Sequence, residues 1–315
     1  MRFAGWRLAF KMQRLELLLF VAAAIVLVAA SLLIAWGTSE ARAAFDACYH
    51  ASGTDANCST SPSLNDFSLW GGFARLGAFL TPFAIGLILG VPVVAREVEA
   101  RTAPIAWTLS RSRLRWLVQR VAPLVVVVVL VAALVGVASE FVTRTNPFAD
   151  YASNPGFADY TSRGVLLPVR ALAVLSLAIA VGAMVPRQLA ALLLATGVTL
   201  ALFVGLTLGM DAWMTAEATP IVMDQTQLGG PRIFDVAYRD DATGEVISMN
   251  DFYNRYGDVA LPDGEQDPKG FTQVAIGIPG EQYATWVLRE SAVLGALALI
   301  SSAVALGVVN RKRPS

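Results

Sequence analysis

The chain reads as an all-α membrane protein with six membrane-spanning helices, cytoplasmic N- and C-termini, and a larger extracytoplasmic loop between helices 5 and 6. Three observations lead there. Of its 315 residues 56% are hydrophobic and only 15% charged, too apolar a balance for an ordinary soluble domain. Six stretches are each long enough to cross about 30 Å of hydrocarbon as a helix. The Lys and Arg residues gather in the short connections on one side of those stretches.

Taken in order, residues 1–14 predict a helix lying on the inner leaflet. Phe3, Trp6 and Phe10 follow a helical spacing, with Arg7, Lys11 and Arg14 on a neighbouring face. The first span is Leu15–Trp36. Its basic leader and the Ala41-Arg42-Ala43 after it are features of a signal peptide, but 22 apolar residues exceed the usual 7–15 of a signal core. A retained anchor is expected. The second span is Phe73–Ala95, and with the loop before it completes the segment 15–95. The connector 96–120 is treated below. The segment 121–210 carries three spans: Val121–Val142 with its Val run from 125 to 129, Val165–Val185 with Pro168 and Arg170 in its first turns, and Leu189–Met210. Residues 211–285 form the large loop, and 286–315 the last span, Trp286–Val309, with a basic tail.

Placing the N-terminus in the cytoplasm puts 14 of the 24 basic residues inside, against only three acids there, Glu16, Glu97 and Glu99. The zero net charge therefore divides into an inner surface of +11 and an outer one of −11. Both cysteines, Cys48 and Cys58, fall in the first outer loop, an oxidising compartment. Nine residues separate them, so a disulfide worth about 2–3 kcal/mol is expected. The only histidine, His50, makes no zinc site with them. In the third loop, Ile233 to Tyr238 and Glu245 to Met249 predict a hairpin around Asp240-Asp241-Ala242-Thr243-Gly244. Its many acids lack the spacing of a calcium loop and read as solvated surface. A loop of 75 residues is expected to be a small folded cap or a functional loop.

What is missing narrows the chemistry. The three lysines, Lys11, Lys269 and Lys312, stand in no phosphate-binding G-x-x-x-x-G-K-[ST], so ATP hydrolysis is not expected of this chain. No dinucleotide, metalloprotease or nucleophile-elbow motif is present, and neither a resident cofactor, a metal nor a nucleic acid is expected. No acid stands near the middle of a span. Glu16, Glu140 and Glu290, with Arg75 and Arg170, lie towards span ends, where a long side chain reaches the interface cheaply. Gly86 and Gly90 in the second span, and Gly205 and Gly209 in the fifth, let helix backbones approach closely.

The connector is the most telling segment. It carries six of the 24 basic residues between Arg96 and Arg120, and two of the three inner acids. Pro104 suits the first turn of a helix running to Arg120 and into the third span. Arg111, Arg115 and Arg120 suit inner-leaflet phosphates or a partner's acids, and Trp107 and Trp116 suit an interface or a partner's pocket. The scarcity of inner acids suggests specific pairing for Glu97 and Glu99.

These residues resemble a known family, the permease subunits of type-2 ATP-binding-cassette (ABC) exporters, in the form common in actinobacteria. The likeness lies in Gly90-Val91-Pro92-Val93-Val94-Ala95-Arg96-Glu97-x-Glu99, then Thr102, Ala106-Trp107-Thr108-x-Ser110 and Arg113-x-Arg115-Trp116. Arg101 replaces the glycine usual before the threonine. Gly164-x-x-x-Pro168 with Leu177-Ala178-x-Ala180-x-Gly182-Ala183, and Gln282-x-x-x-Trp286 with Glu290, are similar to the family's fourth and last helices. The resemblance implies the six-helix permease fold, working as a dimer of two permease copies with two ATPase subunits that bind ATP and Mg. The connector would then seat on the ATPase through Arg96, Glu97, Glu99, Thr102, Trp107, Ser110, Arg111, Arg113, Arg115 and Trp116. A translocation path between the second and fifth spans would draw on Phe79, Phe83, Thr199, Phe203 and Thr207. The cargo would be a small amphipathic compound or a peptide leaving across the plasma membrane. A different class of function, a membrane-anchored sensor or assembly factor working through its outer loop, is told apart by whether an ATPase co-purifies.

Overall fold

The computed structural model describes residues 14–52, 62–100, 112–145, 155–222, 230–256 and 270–311. The inner-leaflet helix expected over residues 1–14, Thr102, Trp107, Ser110, Arg111, Cys58 and the tail beyond Arg311 lie outside them, save Arg14 itself.

The helices are α1 (Arg14–Ser52), α2 (Pro62–Gly90), α3 (Pro92–Glu99), α4 (Arg113–Arg144), α5 (Leu166–Met184), α6 (Gln188–Ala216), α7 (Met249–Tyr256) and α8 (Tyr283–Arg311). Among the described residues six helical segments are long and apolar enough to cross a membrane: α1, α2 with α3, α4, α5, α6, and α8 with its leading turn. They coincide with the six expected spans and overrun most of them. The overruns follow from composition. Beyond Trp36 the chain meets Ala, Glu and Arg, good helix formers, and no proline before the end of α1. Pro92 breaks the second span by taking the first position of α3, where its missing N–H costs nothing. Val185 is extended because Pro186 follows it, which ends α5.

The expected helix from Pro104 to Arg120 is corrected. Ser112 is extended (φ −159°, ψ 149°), and its hydroxyl accepts from the Arg115 N–H. An N-cap has non-helical dihedrals, so α4 starts at Arg113 and no helix runs through residue 112.

Two units divide the chain. The first comprises residues 1–147, 161–204 and 287–315. Its core joins Ile85 and Leu89 of α2, Val93 of α3, Trp116, Leu124 and Val128 of α4, and Leu167, Leu175 and Ile179 of α5. The span with Pro168 and Arg170 in its first turns, α5, is the most enclosed, while α1, α6 and α8 leave most of their surface uncovered. Glycine sets the approach of α2 to α5. A Cβ on Gly86 would stand 2.7 Å from Val174 Cγ1, and one on Gly90 2.7 Å from Ala178 Cβ. The corresponding positions on Gly205 and Gly209 meet nothing within 4 Å among the described residues.

The second unit comprises residues 148–160 and 205–286. Here the all-α expectation is corrected. The described part of the large loop forms a four-stranded antiparallel sheet in the order β1-β4-β2-β3, from β1 (Thr219–Val222), β2 (Arg232–Asp240), β3 (Val246–Ser248) and β4 (Phe271–Ile278). The expected hairpin is β2–β3, with Ala237 opposite Ser248. Its turn closes through Asp240 Oδ1, which accepts from the Ala242 N–H at 2.8 Å, and through Gly244 at φ +75°. β4 escapes a reading by alternation because it is buried on both faces towards its end. α7 covers the sheet: Phe252 packs on Tyr238 at 4.3 Å and on Phe271 at 4.9 Å between ring centroids.

Candidate functional site

The short helix α3 is built to hold three charged side chains on different neighbours. It exists because Pro92 restarts the helix two residues after Gly90, and its apolar residues Val93, Val94 and Ala95 anchor it in the core. Each charged residue then points elsewhere. Arg96 approaches Glu16 of α1 at 3.6 Å. Glu97, only 4% exposed, forms an ion pair with Arg120 of α4. Glu99 Oε2 accepts from the backbone N–H of Gln188 at 2.8 Å, where α6 begins. A carboxylate there satisfies an orphan donor and faces the positive end of the helix dipole. All three acids expected on the inner side are therefore paired, within the chain itself.

The start of α4 extends this network. Arg113 Nη1 donates to the Asn310 carbonyl near the end of α8 at 3.1 Å. The Arg120 guanidinium lies 4.8 Å from the centre of the Trp116 ring, a cation–π distance. Trp116, read from the sequence as suited to an interface or a partner's pocket, is buried in the chain's own core. Arg115 remains exposed. Of the ten connector residues singled out, the structure describes Arg96, Glu97, Glu99, Arg113, Arg115 and Trp116.

A second charged cluster escaped the sequence reading. Arg170 of α5 and Glu290 of α8, expected to reach outward as span-end charges, instead meet each other in the interior. Nη2 and Oε1 are 2.5 Å apart, and the residues are 5% and 2% exposed. Arg170 Nη1 also donates to the Thr161 carbonyl at 2.6 Å. Nearby in the chain, Arg163 donates to Glu140 at 2.6 Å, and Arg144 to the other oxygen of the same carboxylate at 3.0 Å. A lone buried charge would be prohibitive, so each is paired. The available signal was one basic and one acidic residue placed in separate spans, 120 positions apart.

The two clusters sit at opposite ends of α4. Arg120 and Glu140 are separated by 20 residues of helix, roughly 30 Å, the thickness of a bilayer's hydrocarbon core. The helix between them carries no charged side chain.

Among the path candidates, the Phe79 and Phe83 rings are 5.5 Å apart, and Phe83 meets Phe203 of α6 edge-on at 4.9 Å. Thr199 is buried one turn from Phe203, and Thr207 is exposed one turn further along α6. Cys48 lies in the last turns of α1. Among the described residues no cluster of His, Cys, Asp and Glu could hold a metal ion.

Six spans, a mostly helical build and a charged segment joining the second span to the third define a multi-pass membrane protein, as expected of the plasma membrane. A family model described as "ABC-2 membrane transporter related" matches residues 18–214, and the chain belongs to that family. The match runs from α1 to the end of α6, and so takes in the connector and the first five spans. No match is found among curated proteins or among solved structures. The family is that of membrane subunits of transporters, which work with an ATPase subunit.

Proposed function

We propose that this chain is the permease of an ABC exporter. Its N- and C-termini face the cytosol, it pairs with a second permease copy, and its connector 96–120 sits on a dimer of separate ATPase subunits that bind ATP and Mg. The observation that carries this reading is the bracing of α3. A short helix bonded to α1, α4 and α6 at once passes any displacement of the adjoining peptide to three spans together. Nucleotide binding on the partner would shift the population between two access states through that brace. The buried Arg170–Glu290 pair would hold α5 to α8 at the far end while the near end moves. The cargo would pass beside Phe79, Phe83, Thr199, Phe203 and Thr207; these apolar and weakly polar side chains suit a small amphipathic compound or a peptide.

The test begins with capture of the ATPase from native membranes and reconstitution of the complex. Glu97→Gln with Arg113→Ala is expected to abolish stimulation of ATPase activity by cargo while basal hydrolysis by the partner persists. Unchanged stimulation would remove the coupling role. If no ATPase accompanies the chain and an external ligand does, the folded sheet of the second unit favours a sensor instead. The Cys48–Cys58 disulfide belongs to the same orientation. Alkylation should give different masses before and after reduction, and equal masses would exclude the bridge.

A further inference from the structure

A groove of about 340 Å³ opens between α4, α5 and α8. Leu117, Val121 and Val125 form one wall, Leu175 and Ile179 the floor, and Ser302 stands on the α8 side. Among the described residues its only polar side chains are Ser176 and Ser302, and Ser176 already donates to the Ala173 carbonyl at 2.9 Å. Nothing along the groove asks for a polar occupant. From Leu117 to Val125 it runs eight residues of helix, roughly 12 Å, close to the depth of one leaflet.

One end of the groove is strongly marked. There α4 begins with Arg113 and Arg115, and α8 ends with Arg311. The Arg113–Asn310 hydrogen bond ties the two walls together at that end. Arg115 and Arg311 are exposed. Neither wall carries a carboxylate: α4 has none before Glu140, and α8 none after Glu290. The mouth is therefore positive, and the bore is hydrocarbon-like. That pair of properties matches an amphiphile with a negative head and a long apolar tail.

We propose that this groove binds an anionic phospholipid, one acyl chain lying along α4 and the phosphate between Arg115 and Arg311. A zwitterionic lipid has the same tail but brings its own cation to a positive mouth, so the head group decides the preference. The binding itself does not depend on the export reading; only the leaflet does, which is the cytoplasmic one if the termini face the cytosol.

The experiment is native mass spectrometry of the purified full-length chain, titrated with phosphatidylglycerol or phosphatidylcholine of identical acyl chains. Phosphatidylglycerol is expected to bind at least about tenfold more tightly, since basic residues at a membrane surface favour an anionic head group. Arg115→Ala with Arg311→Ala is expected to bring it down to the phosphatidylcholine level without weakening the latter. Ala298→Trp, which fills the groove, is expected to weaken both lipids. If that variant fails to fold, Val118→Phe at the exposed lip makes the same obstruction. Equal binding of the two lipids to the unaltered protein would show a mere hydrocarbon seam and overturn the proposal. Full phosphatidylglycerol binding in the filled variants would place the lipid elsewhere and overturn it as well.

Discussion

Arg170 and Glu290 contribute to stability as a unit, not separately. Their ion pair is buried, and a charge left without its partner there costs far more than the pair itself returns. Glu290→Gln or Arg170→Met alone should destabilise the protein by about 3–5 kcal/mol, read as a lowered thermal midpoint in detergent. The double replacement Arg170→Met with Glu290→Leu should recover most of that loss. Asp240 acts in the opposite setting, at the surface. The N–H of Ala242, then the Thr243 side chain, holds its carboxyl below the ordinary aspartate value. Its folded pKa is depressed, so its contribution is complete above the unfolded pKa and is lost as pH falls through the folded one. Amide protection in the β2–β3 turn, measured relative to the intrinsic exchange rate at each pH, should therefore fall in acid across that interval, and Asp240→Asn should remove the dependence. Sequence exposed these two sites unequally. Asp240 was readable because its turn chemistry is local, within five residues. The Arg170–Glu290 contact depends on which helix faces which, and nothing in a single chain's spacing carries that.

At the level of the helix, the join between α2 and α5 rests on the absence of two side chains. Gly86 and Gly90 lie one turn apart and let α2 reach Val174 and Ala178 directly. Gly90→Val would drive carbon into the α5 backbone, since the Leu175 carbonyl is already 3.0 Å from the ideal Cβ position. Overpacking of this kind costs about 1–3 kcal/mol. The substitution should also release Pro92 and the whole of α3 from their positions, so cargo-stimulated ATPase should fall along with the thermal midpoint. Gly205→Val and Gly209→Val meet open space on α6 among the described residues. They should leave the monomer's stability unchanged to within about 0.5 kcal/mol. Helix positions were legible because length and apolarity suffice to find a span. Helix ends were less so: α4 starts at Arg113 because a serine hydroxyl happens to cap it, whereas the residues before it read equally well as helix. The sheet was half legible, its hairpin marked by Asp and Gly, its edge strand β1 and inner strand β4 by nothing local.

For the whole molecule, direction across the membrane decides every functional reading. The two charged clusters on α4 stand roughly one bilayer apart, but they are symmetric in kind, each pairing arginine with glutamate, so they define a membrane without saying which side is which. Direction is read from the excess of arginine over acid. Arginine is concentrated at the α4 start, at Arg187 and at the α8 end, and the second unit holds the acidic loop. On the proposed orientation, which follows the rule that positive connections stay inside, Arg115 is expected in the cytosol and Asp241 outside. Cysteine introduced singly at these positions, with Cys48 and Cys58 replaced by serine, distinguishes the two orientations. In intact cells a membrane-impermeant maleimide should modify Asp241→Cys, and should reach Arg115→Cys only after permeabilisation. The reverse pattern would put the connector out of reach of any nucleotide-driven partner. The export mechanism would then fail, while the helix pairings, the lipid groove and the family membership would stand.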